Sequence, residues 1–187
     1  MFSFSKRKLK GGEVGLGFFD SVRKARLAGY PETEELFPQD AEIGLEAVKD
    51  EWLYLEIFTV DFVVFLALGK TPEKAAVLTP FWAELKKWLQ LEQVDALLER
   101  FSFLGGDAKS IPAENSETSF ERLMRRMQQY SDCISKPHDL GENHSVATTF
   151  AALCGDMDAV TIMGVSSFFS AKKVSLFNAL KRLQIVV

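Results

Sequence analysis

The stretch WLYLEIFTVDFVVFLAL, Trp52 to Leu68, decides the fold. Its only charges are Glu56 and Asp61. Upstream, Glu42, Glu46, Lys49, Asp50 and Glu56 share one broad stripe if the chain advances about 100° per residue, as a helix does. The stripe fades after Leu53, and Ile57, Val60 and Val64 occupy its continuation. A helix apolar nearly all round is surrounded by other helices. Val60, Val63 and Val64 suit a strand, but the length and the stripe favour helix. The sequence therefore predicts a main helix over about 41–68, stopped by Gly69, with Trp52–Leu68 at the centre of the core. A bilayer span needs roughly 20 apolar residues, and Glu56 and Asp61 interrupt this one.

Working outward, Phe18–Ala28 reads as a short helix ended by Gly29 and the Tyr30–Pro31 step. Residues 1–17 read as a flexible, basic and Gly-rich N-terminal arm, and 18–187 as a single helical domain. Thr71-Pro72 and Thr79-Pro80 each place a capping hydroxyl before a proline suited to a first helical turn. They predict a short helix then a long one, or one helix kinked at Pro80. Phe81, Leu85, Trp88, Leu89, Val94, Leu97, Leu98 and Phe101 supply its buried face, and Gly105-Gly106 its end. Thr118-Ser119-Phe120-Glu121 matches a capping box, which opens a helix that stops before Pro137. Three shorter helices follow, over about 145–154, from the Asp156-Met157-Asp158 cap to about 169, and over 174–186. The fold class expected is all-α, an irregular helical bundle of six or seven helices around the central apolar helix.

Composition sets limits on function. The 187 residues suit one domain, and 26% charged residues is too many for a membrane bundle. Sixteen Phe predict a core of large rings or a surface that offers some of them to a partner. The net charge of −4 hides segregation: residues 1–29 hold seven cations and two acids, and residues 30–61 hold ten acids and one lysine. The two segments are complementary within a chain or between chains. Cys133 and Cys154 are too few for a disulfide framework, so both read as reduced and the compartment as cytoplasmic.

No complete catalytic or cofactor motif is present. Gly12 and Gly17 have the spacing of P-loop glycines, but Phe18 and Phe19 stand where that loop needs Lys and Ser or Thr. A di-iron bundle needs Glu three residues before His; here Ser135 precedes His138 and Gly141 precedes His144. Asp132, Cys133, Asp139 and Glu142 lie near the two histidines, yet their spacing fits no compact zinc pattern. That segment reads as an ordinary loop, with a small-molecule or metal site near His138 and His144 as an alternative. Glu56 and Asp61 stand about 140° apart on a helix and do not point together, which favours structural roles. Neither thiol has a nucleophile signature, and no Gly-x-Ser-x-Gly elbow occurs.

The surfaces left for a partner are basic. The arm carries Lys6, Arg7, Lys8 and Lys10 beside Phe2 and Phe4. From Ala159 to Val187 there is no acid, while Lys172, Lys173, Lys181 and Arg182 add four cations. Gly164-Val165-Ser166 resembles the turn of a helix-turn-helix, although Val160 and Phe168-Phe169 do not fit one. The expectation is a non-enzymatic helical interaction or regulatory module without a cofactor. It meets a protein partner or itself through Lys6, Arg7, Lys8, Lys10, Lys172 and Lys173. A nucleic-acid-associated regulator using the same arm and C-terminal helix is the alternative.

Overall fold

The computed structural model describes residues 7–31, 33, 36, 37, 44–103, 118–136, 139–155 and 157–187. Within them the fold is an all-α bundle of six helices plus one small sheet. The order is β1 (Arg7–Lys10), α1 (Gly11–Ala28), α2 (Leu45–Leu68), α3 (Pro72–Phe103), α4 (Ser119–Ser135), α5 (Glu142–Leu153), α6 (Ala159–Lys181) and β2 (Leu183–Val186).

The central helix is α2. Every residue from Glu51 to Val60 is buried, as the all-round apolar pattern requires. Trp52 is an aromatic hub, its ring 4.6 Å from Phe150, 4.8 Å from Phe168 and 6.4 Å from Tyr30. Gly69, with φ 61°, ends the helix where expected. Past Val64 the helix emerges, so Phe65 and Leu66 are exposed rather than core. Residues 41–43, where the helix was expected to begin, lie outside the described residues.

The arm expected through residue 17 differs from the structure. Residues 7–10 form β1, and α1 starts at Gly11, seven residues before the expected Phe18. The reason is packing. Gly11 and Gly15 lie one turn apart on the face of α1 that meets α3. A Cβ on Gly11 would fall 2.5 Å from Cβ of Ala76, and one on Gly15 would overlap the Val77 carbonyl oxygen. Glycine costs about 1 kcal/mol in a helix, and close backbone contact offsets that loss. Glu13 assists by accepting the Lys10 backbone N–H at 3.0 Å.

Helix α3 is single from Pro72 to Phe103, with Pro80 inside it, so the short-then-long alternative does not form. Pro80 lacks an N–H, which deprives the Ala76 carbonyl of its usual donor. That carbonyl lies at the α1 contact. Phe81, Leu85 and Leu89 are buried as expected. The side chains of Val94, Leu97, Leu98 and Phe101, and the Gly105-Gly106 stop, lie outside the described residues.

The capping box at Thr118 forms. Its hydroxyl accepts the Glu121 N–H at 3.1 Å, and the Glu121 carboxylate accepts the Thr118 N–H at 2.8 Å. The final segment departs most from expectation. Asp158 caps α6, but the helix runs unbroken to Lys181 instead of stopping near 169. Gly164 does not break it, because its missing Cβ admits Leu36: a Cβ there would lie 2.5 Å from Leu36 Cδ2. Residues 183–186 then leave the helix as β2, where β-branched Ile185 and Val186 suit a strand. β2 pairs in parallel with β1, Arg7 opposite Leu183 and Lys10 opposite Val186. Leu9, Leu183 and Ile185 pack on the core. Among the described residues, no helix is long and apolar enough to cross a membrane.

Candidate functional site

The emergence of α2 from the core creates a groove. Phe58, Asp61, Phe62 and Phe65 recur at helical spacing along one wall. The opposite wall is α4, with Met124, Met127, Gln128, Ser131, Ile134 and Ser135, and Lys74 of α3 also lines it. The groove holds about 440 Å³. Its floor is rigid: Phe58 stacks on Phe62 at 5.8 Å with rings 5° apart, and Phe58 lies 5.2 Å from Tyr130. Its rim is open, since Phe65 is 43% and Met124 48% exposed. The Lys74 ammonium lies 5.0 Å from the Phe65 ring centroid, a cation–π contact. Asp61 faces the groove and accepts the Trp82 Nε1–H at 3.1 Å, which fixes its carboxylate and leaves lone pairs for a donor.

The acids of α2 fasten the bundle. Glu51 is buried, accepts the Tyr130 hydroxyl at 2.9 Å and pairs with Arg126 at 2.8 Å. Burial raises its carboxyl above the ordinary carboxylate range, although Arg126 and Tyr130 oppose that shift. Glu56, 1% exposed, pairs with Lys172 of α6 and accepts the Tyr30 hydroxyl at 3.2 Å. Tyr30 reaches it because Gly29 and Tyr30 both adopt left-handed backbone, φ 79° and 49°. Asp50 pairs with Arg26 at 2.7 Å and is nevertheless raised by burial. Glu56 and Asp61 are thus separated, as their 140° offset requires. One meets Tyr30, just past α1, and Lys172 of α6, the other the groove.

The basic residues named from the sequence lie on different elements. Lys6 lies outside the described residues. Arg7, Lys8 and Lys10 are exposed on β1. Lys172 is taken up by Glu56. Lys173 pairs with Glu142 and donates to Asn143 at 2.7 Å, which draws α6 onto the start of α5. The residues brought beside β1 are instead Lys181 and Arg182, which lead into β2. Gly164-Val165-Ser166 lies inside continuous helix, so this segment makes no helix-turn-helix.

His138 lies outside the described residues, and His144 sits on α5 away from the groove. Among the described residues no three His, Cys, Asp or Glu side chains gather to hold a metal ion. Neither Cys133 nor Cys154 is in a disulfide; burial pushes Cys133 up, away from the thiolate a nucleophile needs.

The groove was not anticipated from the sequence. The sequence pattern places Phe62 and Phe65 within the core stretch Trp52–Leu68. The available signal was the mixture on α4, where Gln128, Ser131 and Ser135 lie among the apolar positions. No family model, curated protein or solved structure matches this chain.

Proposed function

We propose that the chain is a non-enzymatic, cytoplasmic interaction module whose α2–α4 groove receives apolar side chains from a partner protein's helix. The groove itself carries this reading. Residues of α2 and α4 line it around stacked rings, and Phe65 and Met124 are exposed. Apolar anchors of an amphipathic helix lie down in such a cleft. Methionines let the wall adjust to the side chains it meets. Gln128, Ser131 and Ser135 supply a polar rim that hydrogen-bonds a partner backbone.

The test is a photo-crosslinking amino acid at position 128 in the native cell. The expected result is a discrete protein adduct that disappears when Phe65→Asp is added. A crosslinker at Leu27, 77% exposed on α1, serves as the control. Crosslinking at 128 no stronger than at 27 would overturn the reading. A stoichiometric small molecule found in the groove by native mass spectrometry would replace it with a ligand-binding one.

A further inference from the structure

The parallel pairing of β1 with β2 builds a surface that neither end of the sequence contains alone. Arg7, Lys8 and Lys10 come from β1. Lys181 is the last residue of α6, and Arg182 immediately precedes β2. The register sets Arg7 opposite Leu183, so Arg182 lies at the same end of the sheet as Arg7. Leu9, Leu183 and Ile185 face the core, while Lys8, Lys10, Gln184 and Val186 alternate outward and are exposed. Among the described residues none of these five cations makes an ion pair; Lys181 instead lies 4.4 Å from the Phe177 ring centroid. Lys172 and Lys173, by contrast, are both spent on acids of the fold.

The backbone adds a second property. The sheet has two strands among the described residues, so each has one paired side. The Lys10 N–H goes to Glu13 rather than to β2. Backbone groups alternate sides along a strand, so Lys8 turns its N–H and C=O to that same outer side. We infer that this edge docks an extended acidic segment of a partner protein as a third strand beside β1. Lysines on an edge strand repel a second copy of that strand. An acidic strand is drawn to these lysines instead: its backbone gains ladder hydrogen bonds at Lys8, and its carboxylates meet Lys8 and Lys10 on the outward face. A polynucleotide fits less well, because Phe177, the ring beside the cations, is covered by Lys181 and offers no stacking face. This surface is separate from the groove and stands or falls without it.

The probe is a fluorescent peptide of alternating Glu and Val, measured by anisotropy against the full chain at low salt. Two comparison probes are the same peptide N-methylated at alternate residues and a single-stranded oligonucleotide of similar charge. The peptide is expected to bind, and Lys8→Glu with Lys10→Glu to weaken it about tenfold or more. The milder Lys8→Gln with Lys10→Gln weakens it less, and Lys87→Glu on α3 leaves it unchanged. Far-ultraviolet dichroism confirms that each variant stays helical. N-methylation, which removes ladder donors, is expected to cost about tenfold as well. No binding, binding indifferent to the charge changes, equal binding of the methylated peptide, or tighter binding of the oligonucleotide would each overturn the proposal.

Discussion

Lys172 of α6 pairs with Glu56, a carboxylate 1% exposed at the centre of α2. The pair joins the central helix to the last helix. Removing only the cation takes away the charge that Lys172 sets against a buried acid. Lys172→Met should destabilise the fold by about 2 kcal/mol, less than the roughly 3–5 kcal/mol of a fully buried pair because Lys172 reaches solvent. Adding Glu56→Gln should recover part of that loss. Urea unfolding of the single and double variants measures the coupling; additive losses would show the two side chains to be independent.

The four glycines at the start of α1 should divide into two pairs. Gly15→Ala forces a methyl into the Val77 backbone and should cost about 2 kcal/mol by overpacking. Gly11→Ala should behave alike against Ala76. Gly12 and Gly17 face open space within helix, so alanine there should stabilise by about 0.5–1 kcal/mol. Chemical denaturation of the four variants decides it, and a uniform response would refute the close crossing of α1 and α3.

Glu51 and Asp50 give the fold a pH dependence opposite to that of a surface acid. Burial raises both above their ordinary values, 4.5 and 3.8. The folded chain therefore holds these protons more tightly than the unfolded chain does. Their contribution is complete below the ordinary values and is lost as pH rises through the raised folded ones. Glu46, held below 4.5 by its hydrogen bond from Lys49, works in the other direction and loses its small contribution as pH falls. The gap in melting temperature between Glu51→Gln and the parent should shift in favour of the variant as pH rises from 4.5. A gap that stays constant would contradict the raised carboxyl.

All three tyrosines should resist ionisation in the folded state. Burial is the largest cause at each, reinforced by Glu56 at Tyr30, Asp50 at Tyr54 and Glu51 at Tyr130. Tyr54 is pushed up to about 12, and Tyr30 and Tyr130 are raised from 10.0 as well. Tyrosinate absorbance should therefore be absent at pH 10 and appear together with alkaline unfolding. Because the folded values are raised, stability is present below 10 and is lost as pH climbs through them. Absorbance rising at pH 10 while the helical signal persists would refute the burial of these phenols.

The helices legible in the sequence were those with local punctuation. Gly29, Gly69 and the Thr118 box act within a turn of the residues they stop or start, so position along the chain locates them. Gly11, Gly15 and Gly164 do not act locally. Each matters for what approaches it from elsewhere, Ala76, Val77 or Leu36, and their spacing reads as a hinge or a turn until that neighbour is known. The candidate site suffers the same limit. Lys172 and Lys173 look available in the sequence because Glu56 and Glu142 come to them only through folding. The groove exists because α2 outruns its own burial near Phe65, a property of packing rather than of hydropathy.

The two-stranded sheet also has a consequence for how the molecule assembles in time. Its partners come from opposite ends of the described chain, so nearly everything between them must be placed before Arg7 meets Leu183. Contacts of such separation form late, since closing the intervening chain carries an entropic cost that only prior structure reduces. A nascent or partly unfolded molecule would retain the ring-filled centre of α2 yet lack the joined cationic edge. That edge is a marker of a finished molecule, and a partner that requires it reads completion as well as identity.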